Sequence, residues 1–398
     1  MINLNVCNNA NFKNYVIKTL ALSILFISSC TSQTVSVKKT STETIDNKSN
    51  AESYKFIVVG DSRGEKALPG INVEVVTAIA KAIIKEKPEF VLYVGDIVYG
   101  QANRKKYGDN GALDVLQKEF DIWLEAMKPV YDSSIKVYPV RGNHDCEQWH
   151  PNHNHHRDHR PVWPKTKDVW DNVFSDNKAN PMNGPEGEKN VTFSFIKNNS
   201  FVAGMDVYHY KPYGHPEVNP DGSMNAYQFL RVNQPWLDKQ LEESKGYHVF
   251  TYTHVPAFKI DHYNGLQGDS YPTMHINYTK YRNLFWDSLK KVGARTYFCG
   301  HDHGYAHLVI EDGDGNPDND IHQFTVGTGG ATPDMKPALN GYNSPYTPKM
   351  VKYDDDYGYM VVTVDGPKVE CVFKKMVDRK KNIFEEFDRF TYVSKNVN

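Results

Sequence analysis

The chain has 398 residues, 39% hydrophobic and 24% charged, with a formal net charge of -2. Its 25 Tyr and 19 Phe supply a substantial core and exclude a mainly disordered chain. The near-zero charge excludes a global basic field for nucleic acid, and no apolar run approaches the ~20 residues a membrane helix needs, which excludes a multi-pass membrane protein.

In chain order, Lys13 and Lys18 precede an apolar run from Leu20 to Ile27, which fits the core of a signal peptide and is too short to span a bilayer. The run ends Ile27-Ser28-Ser29-Cys30. An apolar residue, two small ones and a cysteine resemble the bacterial lipoprotein box. That resemblance implies cleavage before Cys30 and acylation of its thiol; an ordinary secretory signal is the alternative. Residues 1–29 are thus expected to be a signal peptide. Residues 30–52, rich in Ser, Thr and Lys, read as a tether, leaving an exported lipoprotein held at the cell envelope by its lipid alone. Of five cysteines, Cys146, Cys299 and Cys371 then remain, enough for one disulfide at most, and without a CxxC pair.

The expected folded region, residues 53–376, begins with Tyr54-Lys55-Phe56-Ile57-Val58-Val59, a buried strand ending in Gly60-Asp61. Apolar positions Val73, Val76, Ile79, Ala80 and Ile83 have helical spacing. Phe90 to Val94 is a second strand ending in Gly95-Asp96, Leu113 to Met127 a second helix, and Lys136 to Val140 a third strand ending in Arg141-Gly142-Asn143-His144-Asp145. This alternation predicts an α/β fold with parallel strands and a site at their C-terminal ends. Cys146 to Asn190 reads as a long polar excursion. Strands are expected at Val191 to Phe195, Phe201 to Asp206, His248 to Tyr252 and Arg295 to Cys299, with a helix over Gln234 to Ser244. Alternating strands follow at His307 to Glu311, His322 to Val326, Tyr359 to Val364 and Val369 to Lys374, and residues 377–398 read as a tail packed on or extending the domain. Two packed sheets flanked by helices satisfy this pattern better than two domains.

Five strand ends supply Asp61; Asp96 with Tyr99; Asn143 with His144; His254; and His301 with His303. Singly, an Asp after a strand is more often a turn or helix cap than a ligand, and a lone HxH pair more often lies at the surface or behind a site. Together, carboxylate, imidazole and amide oxygen converging at the top of one sheet make a di-metal site, in which two cations ~3.5–4 Å apart clamp a phosphoryl group and activate water. The motifs Gly60-Asp61-Ser62-Arg63-Gly64, Gly95-Asp96-Ile97-Val98-Tyr99, Gly142-Asn143-His144-Asp145, Thr251-Tyr252-Thr253-His254 and Gly300-His301-Asp302-His303 resemble the calcineurin-like metallophosphoesterase superfamily, and within it the purple acid phosphatases. The resemblance spans about Tyr54 to Lys374 and implies a four-layer α/β/β/α sandwich of two mixed sheets.

The resemblance also implies roles. Asp61, Asp96, Tyr99 and His303 would bind the first metal; Asp96, Asn143, His254 and His301 the second. Most of the superfamily has histidine where Arg63 stands, and a guanidinium has no lone pair to donate. Tyr99 offers a replacement, since purple acid phosphatases use this tyrosine as a tyrosinate on Fe(III), with Fe, Zn or Mn as the divalent partner. The alternative is a packing aromatic beside a weak first site. Arg63 either binds phosphate beside the metals or turns outward. His144 is expected to contact phosphate, and His262 is the candidate general acid.

The implied function is hydrolysis of small phosphate monoesters. A Mn or Zn phosphodiesterase of the same superfamily is the second reading, and a surface lipoprotein with a degraded site, acting as a binding protein, the third. His150, His153, His155, His156 and His159 read as a solvated loop, a substrate rim or an accessory metal site. Asp312 to Asp320 spaces acids like a calcium loop but lies between strands and reads as a hairpin turn; Gly327-Thr328-Gly329-Gly330 is expected to turn close to the metal centre.

Overall fold

The computed structural model describes residues 53–102, 104–146, 163–208, 230–261, 279–339 and 345–397, all within one compact unit. The expected signal peptide, the tether, Cys30, the His150–His159 cluster and His262 lie outside the described residues.

The first sheet begins with β1 (Tyr54–Val59), β2 (Phe90–Tyr93) and β3 (Lys136–Pro139), paired in parallel. Helices α1 (Val73–Glu86) and α2 (Arg104–Asp132, broken at Gly108) connect them. On the other side of β1 the sheet is completed antiparallel by β11 (Gly358–Asp365), β12 (Lys368–Asp378) and β13 (Ile383–Val393), in the order β13-β12-β11-β1-β2-β3.

The second sheet has β4 (Phe193–Lys197), β5 (Ser200–Gly204), β6 (His248–Tyr252), β7 (Thr296–Cys299), β8 (Tyr305–Glu311), β9 (Ile321–Val326) and β10 (Thr347–Asp354), in the order β10-β8-β9-β7-β6-β5-β4. Strands β5, β6, β7 and β9 run parallel, so this sheet is mixed too. Helices α3 (Asn143–Cys146), α4 (Trp163–Val173), α5 (Gln234–Leu241) and α6 (Thr279–Lys291) complete the set used below.

Side-chain alternation explains the layering. In β1, Ile57 and Val59 join the apolar cluster with α1 and α2, while Tyr54, Phe56 and Val58 face the second sheet. In β7, Phe298 faces the first sheet while Tyr297 and Cys299 pack with Phe285, Trp286 and Leu289 of α6. Strands buried on both faces read as continuous apolar runs. The four expected layers are therefore present, helices outside and two sheets inside.

Several expectations change. Val73, counted in the apolar spacing of α1, is exposed. The segment from Cys146 to Asn190 is not polar throughout: α4 buries Trp170, whose indole N–H donates to Asn190 O at 3.0 Å. Helix α6 and strand β10 were not anticipated, and β13 is a full strand pairing along β12. The turn between β8 and β9 at residues 312–320 is a hairpin turn closed by its own side chains, with Lys290 against Asp312. Cys146, Cys299 and Cys371 are all buried.

Candidate metal centre

Each strand of the two sheets that faces the site ends in a short turn bearing one or two polar side chains. Asp61, Asp96 and His301 take left-handed backbone angles there, with φ of 57°, 47° and 73°. Gly142 permits a close approach: a Cβ at that position would run into the Asp96 carboxylate.

Two groups of donor atoms result. Asp61, Asp96 and His303 each place one ligand atom within 4.8 Å of the others. In the second group, His254 Nε2 lies 3.2 Å from Asn143 Oδ1, 3.1 Å from His301 Nδ1 and 3.4 Å from Asp96 Oδ1, and His301 Nδ1 lies 3.0 Å from Asn143 Oδ1. Asp96 belongs to both groups. All six residues are buried.

The donor chemistry fits cations. His254 Nδ1 lies 2.8 Å from Val94 O, and a carbonyl only accepts, so Nδ1 carries the proton and Nε2 presents its lone pair to the site. That lone pair meets the Asn143 and Asp96 oxygens, which are also acceptors, and a metal ion resolves such a convergence. Burial first, and then the charge of Asp96, push the Asp61 carboxyl well above its ordinary value. Burial would also raise Asp96, but the positive charge of His254 and His144 when they are protonated, together with that of Arg63, outweighs it and holds that carboxyl low. Two carboxyls this close and this dry ionise together only with added positive charge between them. Nitrogen and oxygen donors of this mixture suit Fe, Zn or Mn.

Arg63 turns inward, not outward. Its Nε lies 4.0 Å from Asp96 Oδ2 and its side chain is 16% exposed, so the guanidinium edges the site. His144 packs at the other side: its backbone N–H donates to Asp96 Oδ1 at 2.8 Å, and its ring lies 5.9 Å from that of half-buried Tyr99. The run Gly327 to Gly330 does turn at the centre, with Gly329 N–H donating to Gly60 O and Ala331 N–H to Asp61 O, both at 2.7 Å. Cys30 and His262 lie outside the described residues, so neither is placed.

Five supporting residues were given no role from sequence. Asp145 accepts from Gly142, Ile97 and Val98 N–H groups at 2.8–3.2 Å, tying the second motif to the third. It sits inside the quoted Gly142–Asp145 motif, which was its one available signal. Asp334 lies 3.3 Å from His303 Nδ1, turning Nε2 toward Asp61. Tyr208 Oη donates to Asn143 Oδ1 at 3.5 Å, and Arg141 pairs with buried Asp206 behind α3. Nothing local marks Asp334, Tyr208 or Asp206, because their partners are distant in sequence, and Arg141, though it opens a quoted strand-end run, pairs equally far along the chain.

The calcineurin-like phosphoesterase family matches residues 54–305. No curated protein sequence matches the chain significantly. Among solved structures, a purple acid phosphatase from yellow lupin (Lupinus luteus) seeds superposes with a TM-score of 0.54 at 13% identity, covering 86% of this chain and 54% of that one. The present chain thus spans about half the lupin protein's length. PhoD gives a TM-score of 0.56 at 13% identity, covering 86% of this chain and 70% of that one. At such identities these likenesses speak for the fold alone. The family match over more than half of the chain is decisive: the chain belongs to the calcineurin-like phosphoesterase family.

Proposed function

We propose that the chain is an exported di-metal phosphatase acting on small phosphate monoesters, similar to purple acid phosphatases. The observation that carries this reading is the sharing of Asp96 between two buried donor groups. Fe(III) would be held by Asp61, Asp96, Tyr99 and His303, and Fe, Zn or Mn by Asp96, Asn143, His254 and His301. When bound, such a pair supplies Lewis-acid polarisation of a phosphoryl group and activation of water. Arg63, edging the site beside Asp96, presents a fixed positive charge and a planar fork to the substrate's non-ester oxygens, which favours a dianionic monoester over a singly charged diester. His144 contacts the phosphate, and His262 protonates the leaving oxygen. Buried Asp145 holds both motif loops in place while these groups act.

Protein purified in air should be violet and contain iron, because charge transfer from a Tyr99 phenolate to Fe(III) absorbs visible light while redox-silent zinc does not. Tyr99→Phe should remove the colour and weaken the first metal while leaving the fold intact. p-Nitrophenyl phosphate should turn over faster than bis-p-nitrophenyl phosphate by about tenfold or more, a ~1.4 kcal/mol preference. A colourless zinc or manganese protein that prefers the diester would replace this reading with the phosphodiesterase one. An inert protein that binds no metal would support the degraded-site reading. Export follows from Cys30: Cys30→Ser should shift the protein from membrane to soluble fractions, and unchanged fractionation would refute the lipid anchor.

A further inference from the structure

His144 is held by one side of a peptide unit whose other side is held by a buried carboxyl. Its Nδ1 lies 2.6 Å from Tyr99 O. A carbonyl only accepts, so Nδ1 carries the proton and Nε2 is the ring atom left for the substrate side. The N–H of the same peptide unit, that of Gly100, donates to Glu119 Oε2 at 2.7 Å. The other Glu119 oxygen accepts the Leu68 N–H at 3.3 Å. Glu119 stands on α2 and is fully buried. Its carboxyl is pushed up to about 7 by burial, against the pull of the Gly100 and Leu68 amides. Gly100 has φ 64°, and a Cβ there would collide with the His144 carbonyl, so this peptide is pressed against the turn that carries His144. The N–H of Tyr99 is fixed as well, donating to Gly70 O at 2.7 Å.

We propose that Glu119 is a positioning residue for His144, acting through the Tyr99–Gly100 peptide. By accepting the Gly100 N–H it orients and polarises that amide, and the Tyr99 carbonyl becomes a stronger, fixed acceptor for the His144 Nδ1–H. The ring is thereby fixed with Nδ1–H on the Tyr99 carbonyl and Nε2 facing the phosphate site, where Nε2 takes up a proton and donates it in a hydrogen bond to the anionic substrate. A carboxyl in direct contact with His144 would orient the ring equally well but add negative charge where an anionic substrate must bind. One intervening peptide keeps the orientation and moves the charge away. The proposal rests on the reading of His144 as a phosphate contact.

The test is a double-mutant cycle on the full chain combined with nitrogen NMR of histidine-labelled, zinc-loaded protein. Glu119→Gln has one acceptor oxygen for two backbone N–H groups and must release one of them. It should lower kcat by about tenfold with KM changed less than about twofold. In a His144→Ala background the same substitution should cost nothing further, because its target is gone. The His144 signals, assigned by their loss in His144→Ala, should show the Nδ1–H tautomer in the native protein and a tautomer mixture in Glu119→Gln. A full additional loss in the His144→Ala background, or an unchanged tautomer, would overturn the proposal and leave Glu119 as a tie between loops. Should Glu119→Gln fail to fold, Glu119→Asp, which draws the carboxyl back by one methylene, is carried through the same cycle. A chain without phosphatase activity but with the tautomer shift would refute the functional reading and not the relay.

Discussion

Asp61, Asp96 and His301 each hold a backbone conformation that costs about 1–3 kcal/mol for a residue bearing a Cβ. Such strain persists where surrounding contacts over-determine it. Here the Asp61 oxygens accept the His301 N–H at 3.0 and 3.2 Å, and Asp96 accepts the His144 N–H. Once metal is bound, ligation adds to these restraints. Gly142 meets the opposite constraint, needing the absence of a side chain. Gly142→Ala should displace the Asp96 carboxylate and lower kcat by about a hundredfold or more, since misplacement by about 1 Å costs that much. Far-UV circular dichroism should stay native, and metal analysis should show loss of at least one ion. Normal turnover in that variant would mean that Asp96 is not a ligand. The motif residues were legible because each directly follows an apolar strand. Asp334 and Tyr208 were not, because their roles come from contacts with His303 and Asn143 across the fold.

Among the elements, the central strands were readable because burial on both faces makes them apolar at every position, as in Phe90-Val91-Leu92-Tyr93. Helix α1 was readable from its periodic apolar face. Helix α6 was hidden because its pattern is broken twice: Arg282 is buried, its guanidinium 4.5 Å from the Phe258 ring, while Leu284 is exposed. Helix α4 offers too few apolar positions for a period to show; Trp170 carries much of its burial. Strands β10 and β13 lie at sheet edges, where charges such as Lys349, Lys352, Glu385 and Glu386 interrupt the alternation. Charged edges of this kind discourage pairing with other chains, and they also make a strand look like a loop or a tail.

Across the whole molecule, the two sheets are joined by a large apolar layer and, at one margin, by a polar chain. Asp388 on β13 of the first sheet accepts from Tyr305 Oη at 2.7 Å and from His307 Nδ1 at 2.8 Å; His307 Nε2 lies 2.7 Å from His322 Nδ1. Burial first, then His307 and Arg295, lower His322 to about 3. The native state therefore keeps His322 neutral while the unfolded chain protonates it near pH 6.5, so stability is full above that value and is lost as pH falls toward 3. Between pH 6.5 and 5 the loss is about 2 kcal/mol. His322→Gln should narrow the drop in Tm between pH 7.5 and 5 by a few degrees; an unchanged drop would show that the histidine does not carry this acid sensitivity. The site depends on both sheets, since Asp61, Asp96 and Asn143 follow strands of one while His254, His301 and His303 follow strands of the other. Asp96 is the group common to both halves of the centre. Metal content per chain, measured by mass spectrometry on wild type and on Asp96→Asn alongside hydrolysis of p-nitrophenyl phosphate, is the most direct test. Two metals and turnover in the wild type, with at least one metal and nearly all turnover lost in Asp96→Asn, are expected. Two metals and normal rates retained in the variant would contradict a centre bridged by Asp96.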